Sequence, residues 1–280
     1  MIRFSEIFYS IQGEGRWIGT PSVFIRLFGC NFECRGFGQG RDQSKWVPRE
    51  WMPHRIDPKI KEYKSFHELP VPEIGCDSSA TWAKEYMHLT TYEKPSLVAK
   101  RLIEITPNKK WENIHLVITG GEPLMWQKQL PELLSDEKLK DLKHITFETN
   151  GTQKLRPQFI EFLENAHFYT TFACPAKLSI SGEPWKKAIR PEVVNMYSKV
   201  KNSELFFKFV VQDEQCLHDV NKALAEYNLP NDTPVFLMPV GGTQETLNLT
   251  ERQVADVSLA NGFKFSPRLH VGLFGNAWGT

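Results

Sequence analysis

Three of the five cysteines in this 280-residue sequence stand where they could share a task. Cys30 and Cys34 lie four apart at the end of an apolar run, and Cys76 follows a long polar stretch. Structural zinc takes four ligands, commonly as two close pairs. Here there is one pair, a third cysteine, and His54, His67 or His88 to complete a set. Another arrangement is a [4Fe–4S] cluster on three thiolates, which leaves one iron open to a substrate or cofactor. Unligated thiols are the third reading, and spacing alone leaves all three open. Cys174 and Cys216 stand apart and read as small buried hydrophobes. Other residues could also do chemistry. Gly120–Gly121–Glu122–Pro123 end an apolar run, and small glycines there let backbone approach a ligand. Gln12, Gly13 and Glu14 form a glycine-flanked polar turn whose amide and carboxylate offer donors and acceptors. Arg26 places a guanidinium inside an apolar strand. Ser78, two residues past Cys76, precedes "ATWAKEYM" and reads as its N-cap.

Strands alternating with helices must position these groups. "PSVFIRLF" (21–28) reads as a β-branched and aromatic strand leading to Cys30. "IHLVITGG" (114–121), "HITFETNG" (144–151), "FYTTFACP" (168–175), "ELFFKFVV" (204–211) and "PVFLMPVG" (234–241) read as further strands. Helical spacing marks 95–105, 156–166, 215–228 and 249–262, the last opening on a capping box of Thr250 and Gln253 and stopping at Gly262. This order predicts an α/β fold with a mostly parallel sheet or partial barrel. Ligands bind at the carboxyl ends of such strands, where Cys30, Thr119–Gly121, Glu148–Gly151 and Cys174–Pro175 all fall. Residues 35–75 hold five prolines and four glycines, keep no helical or strand period, and read as an insertion in one 1–280 domain.

Bulk composition narrows the class. A formal charge of +1 gives no case for nucleic acid or a membrane surface as partner. No stretch is apolar for long enough to span a bilayer, and the start lacks a secretory signal. An odd number of cysteines fits a reducing, cytoplasmic setting.

The stretches "FYSIQGEGRWIGTPSVFIRLFGCNFEC", "GCDSSATW", "VITGGEPLMW" and "FETNGT" occur in that order. Together they resemble the radical S-adenosylmethionine (SAM) enzymes, and within them the 7-carboxy-7-deazaguanine synthases. That family usually carries C-x3-C-x2-C, and here the third cysteine returns as Cys76 after the insertion. The resemblance implies a partial (β/α) barrel of the radical SAM type with a modified cluster loop. It implies a [4Fe–4S] cluster on Cys30, Cys34 and Cys76, SAM on the open iron, and Mg²⁺ on Ser78. By the same resemblance Gly75, Asp77, Gly120, Gly121, Glu122, Glu148, Asn150 and Gly151 line the SAM side. "CPAKLS" resembles a SAM-contacting S-P-K segment, with Cys174 in place of serine and Ala176 inserted, and so adds Cys174, Pro175, Lys177 and Ser179. Ile11, Gln12, Gly13, Glu14, Arg26, Thr119, His270 and the carboxylate of Thr280 are implied around the substrate. No contact is carried onto Met238.

The implied reaction is ring contraction of 6-carboxy-5,6,7,8-tetrahydropterin to 7-carboxy-7-deazaguanine with loss of ammonia, started by a radical from SAM and assisted by Mg²⁺. No catalytic protein side chain is implied. A homodimer and a flavodoxin- or ferredoxin-type reductant are implied as partners. The basic part of residues 35–64, with Arg41, Lys45 and Arg49, reads as a surface that could help dock the reductant. The competing readings are another radical SAM enzyme, such as a glycyl-radical activase, and a zinc-stabilised, non-catalytic binding protein.

Overall fold

The computed structural model describes residues 1–280. Its strands are β1 (Ile2–Ile11), β2 (Pro21–Leu27), β3 (Thr91–Glu93), β4 (His115–Gly120), β5 (His144–Glu148), β6 (Tyr169–Cys174), β7 (Ser203–Val211), β8 (Val235–Pro239) and β9 (Lys264–Phe265). They form one sheet in the order β3-β1-β2-β4-β5-β6-β7-β8-β9. From β2 onward every neighbouring pair is parallel, while β1 runs antiparallel to both β2 and β3. The helices are α1 (Pro53–Ile56), α2 (Pro95–Glu104), α3 (Leu130–Leu134), α4 (Pro157–Glu164), α5 (Trp185–Ala188), α6 (Pro191–Tyr197), α7 (Cys216–Tyr227), α8 (Gln244–Asn248), α9 (Glu251–Asn261) and α10 (Leu269–Phe274). No helix is long and apolar enough to cross a membrane.

The period of two along each strand divides the sheet into a helix-covered face and a site face. Ile25, Leu27, Ile118, Ile145, Phe147, Phe172 and Phe207 point to the helices and join a core of 44 buried residues. Their neighbours Arg26, Thr119, Glu148 and Lys208 point the other way and line a cavity. Every strand read from the sequence is present. β1 was not read, because a register shift between Phe4 and Glu6 breaks its alternation. Arg26 sits on an interior strand, which removes an edge-strand explanation for its charge.

The predicted capping box of Thr250 and Gln253 is absent. Thr250 donates its hydroxyl to the Val240 carbonyl at 2.7 Å and does not cap α9. The box belongs instead to Thr243 and Thr246 at the start of α8. Residues 35–75 add no strand, yet they are folded into short helical turns at Gln43–Lys45, Arg49–Trp51, α1 and Phe66–Glu68. Trp46 anchors them by filling space over Gly36 and Gly182 and donating Nε1 to the Gly40 carbonyl at 2.9 Å.

Phe147 is fully buried, with its ring centroid 5.9 Å from those of both Phe159 and Phe172. Phe147→Ala should therefore destabilise the fold by about 3–5 kcal/mol, measured by denaturant unfolding.

Candidate functional site

The amino-terminal ends of the parallel strands are closed by residues 12–20. Trp17 lies edge-on to the stacked rings of His115 and His144, and its Nε1 donates to Thr171 Oγ1 at 3.2 Å. Arg16 pairs with Glu204 on β7 at 3.0 Å. Burial lowers both histidines, His144 to about 4, so the stack is uncharged at neutral pH.

From this floor Glu14 reaches a cavity of about 480 Å³. One Glu14 oxygen accepts from Lys208 Nζ and the other from Arg268 Nε at 2.9 Å. Lys208 also donates to Glu148 at 3.4 Å, and Thr119 donates to the other Glu148 oxygen at 3.0 Å. Arg268 continues to Asp77 Oδ2 at 2.6 Å and to the Gly241 carbonyl. A continuous chain of charge thus joins Thr119, Glu148, Lys208, Glu14, Arg268 and Asp77. Burial pushes the Glu14 carboxyl up, but Lys208 and Arg268 outweigh it and hold Glu14 well below the usual carboxylate range. Burial lowers His270 to about 4, leaving a neutral imidazole 3.8 Å from Glu14. Its ring lies on Gly13, where any Cβ would collide with it. Arg26 donates to Glu6 at 2.7 Å, and its guanidinium carbon lies 5.2 Å from the Phe8 ring centroid and 5.7 Å from that of Trp278.

The carboxyl rim carries the thiols. Cys30, Cys34 and Cys76 are unpaired and line this same cavity. Cys34 holds a left-handed conformation, φ 49°, and its amide donates to Glu183 Oε1 at 2.8 Å. Burial raises each thiol, Cys30 to about 12, while Lys177 opposes the shift at all three. The Trp82 indole N–H is buried without a hydrogen-bond partner and stands where it favours the Cys76 thiolate. A Cβ at Gly121 would strike the Gly29 carbonyl and come within 2.9 Å of Cys30 Cβ. No three His, Cys, Asp or Glu side chains converge on one point closely enough for a single metal ion. None of His54, His67 and His88 lines the cavity, so the zinc set read from the sequence does not assemble. A cube of irons places a different demand on the thiolates, one on each of three corners. Three unpaired thiols, a lysine among them and an unused N–H donor beside Cys76 fit such a group.

Most residues read from the sequence come together here. Ile11, Gln12, Gly13, Glu14, Arg26, Gly75, Asp77, Ser78, Thr119, Gly120, Gly121, Glu148, Asn150, Pro175, Lys177, His270 and Thr280 all line the cavity. Ser78 does not cap the turn that follows it, and its hydroxyl donates to Asp77 at 3.2 Å.

Four SAM-side expectations are corrected. Glu122 is fully buried behind the wall, with its oxygens accepting from Leu124 N, Thr149 Oγ1 and Asn150 N. Burial raises it to about 7, and its role is to fix the turns after β4 and β5. Cys174 shares the helix-covered face of β6 with Phe172 and is fully buried in the core, as its small apolar character implies. Ser179 is exposed on the outer surface, its amide bonded to Asp219. Gly151 packs against Cys174 and does not reach the cavity. The suggested basic docking patch is also already neutralised, because Arg41, Lys45 and Arg49 pair with Asp213, Asp42 and Glu33.

Lys208, Arg268 and Glu183 were missed. Lys208 carried a readable signal, a cation inside the apolar run "ELFFKFVV", the same signal that singled out Arg26. Arg268 and Glu183 lie in irregular segments with no such contrast.

The thiols thus stand on the carboxyl side of a mostly parallel α/β sheet. The crystal structure of QueE from Escherichia coli has this fold, with a TM-score of 0.51 and 20% identity, covering 96% of this chain and 94% of that one. No protein-family model matches the sequence. Curated relatives do, along almost their whole length. The 7-carboxy-7-deazaguanine synthase of Pyrobaculum aerophilum is 28% identical over 278 residues, 99% of this chain and 97% of that protein. The enzyme of the same name from Halobacterium salinarum is 29% identical over 282 residues, 98% and 90% of the two chains. The chain is thus similar along nearly its whole length to 7-carboxy-7-deazaguanine synthases.

Removing Lys208 leaves two carboxylates facing each other across a buried site. Lys208→Met should cost about 3–5 kcal/mol at pH 8. The Glu14 value is depressed in the folded state, so the stabilisation from its cations is present above the usual carboxylate range and is lost as pH falls. The gap between wild type and variant should therefore shrink in unfolding curves taken toward acid pH.

Proposed function

We infer that this protein is a 7-carboxy-7-deazaguanine synthase, converting 6-carboxy-5,6,7,8-tetrahydropterin to 7-carboxy-7-deazaguanine with loss of ammonia. One observation carries the reading. The three thiols and the Gln12–Glu14 turn, brought from opposite ends of the parallel strands, line a single cavity. We read the chain as one catalytic domain with an insertion at 35–75.

Cys30, Cys34 and Cys76 would hold a [4Fe–4S] cluster, and Gly120, Gly121, Gly75, Asp77, Asn150, Pro175 and Lys177 would surround SAM. Cluster and SAM together supply the 5′-deoxyadenosyl radical when bound. The protein's own residues bind and orient. Gln12 is buried, and its side-chain oxygen accepts from the Glu14 amide at 3.1 Å, which leaves its NH₂ group for a ligand. Glu14 stays ionised between its cations and presents acceptor lone pairs to the donor edge of a pterin ring. Arg26, held by Glu6 and flanked by Phe8 and Trp278, offers its terminal nitrogens to the substrate carboxylate. Thr119 and Glu148 stand between the two halves of the cavity and fix the reacting carbon relative to SAM, because the reacting atoms must lie within about 3–3.5 Å. Neutral His270 seals the floor over Gly13.

Ser78 is the protein oxygen we assign to Mg²⁺, the rest of its shell coming from substrate and water. Five unpaired cysteines suit a reducing, cytoplasmic setting. A one-electron donor of flavodoxin or ferredoxin type would reduce the cluster, and a homodimer is the assembly we expect.

Anaerobically reconstituted protein should be brown and convert the carboxytetrahydropterin in the presence of SAM and reductant. Cys30→Ala, Cys34→Ala and Cys76→Ala should each lose iron and activity, whereas Cys216→Ala keeps both. Bound zinc without sulfide, or SAM cleavage with no pterin product, would overturn the reading. Ser78→Ala should weaken the response to added Mg²⁺ while leaving iron content unchanged.

A further inference from the structure

Besides residues such as Phe37, Val71 and Glu73 that line the cavity, the segment 35–75 packs against the carboxyl end of the chain. Phe66 and Leu69 belong to a small apolar cluster that also contains Trp278, near the carboxyl end of the chain. The rings of Phe66 and Trp278 are 5.9 Å apart. His67 Nδ1 lies 3.0 Å from the Trp278 carbonyl oxygen, so the tautomer protonated at Nδ1 donates to it. Gly279 rests on the same imidazole, where a Cβ would come within 2.6 Å of Cε1. On its cavity side Trp278 flanks Arg26. Residues 276, 277, 278 and 280 form wall there, while His67 itself does not reach the cavity.

We propose that the insertion is a brace for this wall: His67, with Phe66 and Leu69 beside it, positions residues 276–280 against Arg26 and so sets how firmly the substrate's carboxylate end is held. The proposal rests on the function inferred above. Its physical logic has two parts. Apolar contact holds the Trp278 indole in its pocket but has no direction. The single hydrogen bond to the Trp278 carbonyl supplies the direction, fixing the backbone of a segment that has little regular structure of its own. His67 is thus a positioning residue that acts through Trp278.

In cluster-loaded enzyme, His67→Ala should raise KM for the carboxytetrahydropterin about fivefold to tenfold, the scale of one lost hydrogen bond, with kcat and iron content little changed. His67→Asn keeps a donor near the Nδ1 position and should restore KM. Leu69→Ala should move KM in the same direction as His67→Ala. Hydrogen exchange of residues 276–280 in metal-free protein should accelerate in both alanine variants and not in His67→Asn. Unchanged KM and unchanged exchange in both alanine variants would overturn the brace. A wild type that makes no deazapurine would instead overturn the function, and the exchange measurement would still decide the brace.

Discussion

A carboxylate clamped between two buried cations ties the distant parts of this chain together. Glu14 comes from the turn after β1, Lys208 from the middle of β7, and Arg268 from the segment after β9. None of the three could be buried alone, because an unpaired charge in a low-dielectric interior costs several kcal/mol. Together they are tolerated, and each enforces the position of the others. Arg268 extends the clamp to Asp77, the residue after the third cysteine. The loop that carries Cys76 is thereby tied to the floor of the cavity, however long the chain between Cys34 and Cys76. The long covalent path between the two does not loosen the site.

The cavity wall is built at two levels. Side chains that face the cavity, such as Thr119, Glu148 and Arg26, are held by partners across from them on the adjacent strand. Behind them Glu122 ties the turns after β4 and β5 through backbone amides and never meets the cavity. Glu183 does the same for Cys34, securing an amide in a loop that leaves the regular sheet. Carboxylates that face ligand and carboxylates that hold backbone are equally polar in sequence. They differ in which side of a strand or turn the chain presents.

That difference marks how far the sequence could be read. Strand and helix positions followed from period and composition, so all the parallel strands up to β8 were legible. The cavity was legible wherever a charged or polar residue interrupted an apolar strand, as Arg26 does, and Lys208 offered the same contrast unread. The errors came from position along a motif being taken for direction. Cys174 ends β6, but the pleat turns it toward Phe172 and the core. Ser179 lies five residues beyond, after the chain has turned to the surface. The fold of residues 35–75 could not be read from sequence, because its order comes from anchors such as Trp46 on Gly36 and Gly182, which no local pattern announces.

The bond between Glu14 and Arg268 joins residues 254 apart, and the amide of Gly15 meets Ser266 across almost the same separation. Contacts of such range carry a heavy loop-closure penalty, met only after the intervening strands have assembled. The floor is therefore completed by a residue that leaves the ribosome long after the hairpin it secures. While synthesis continues, that hairpin lacks one of its two counter-charges, and the thiol-bearing rim has already emerged. A nascent chain of this design leaves the floor of its cavity incomplete until its final segment docks.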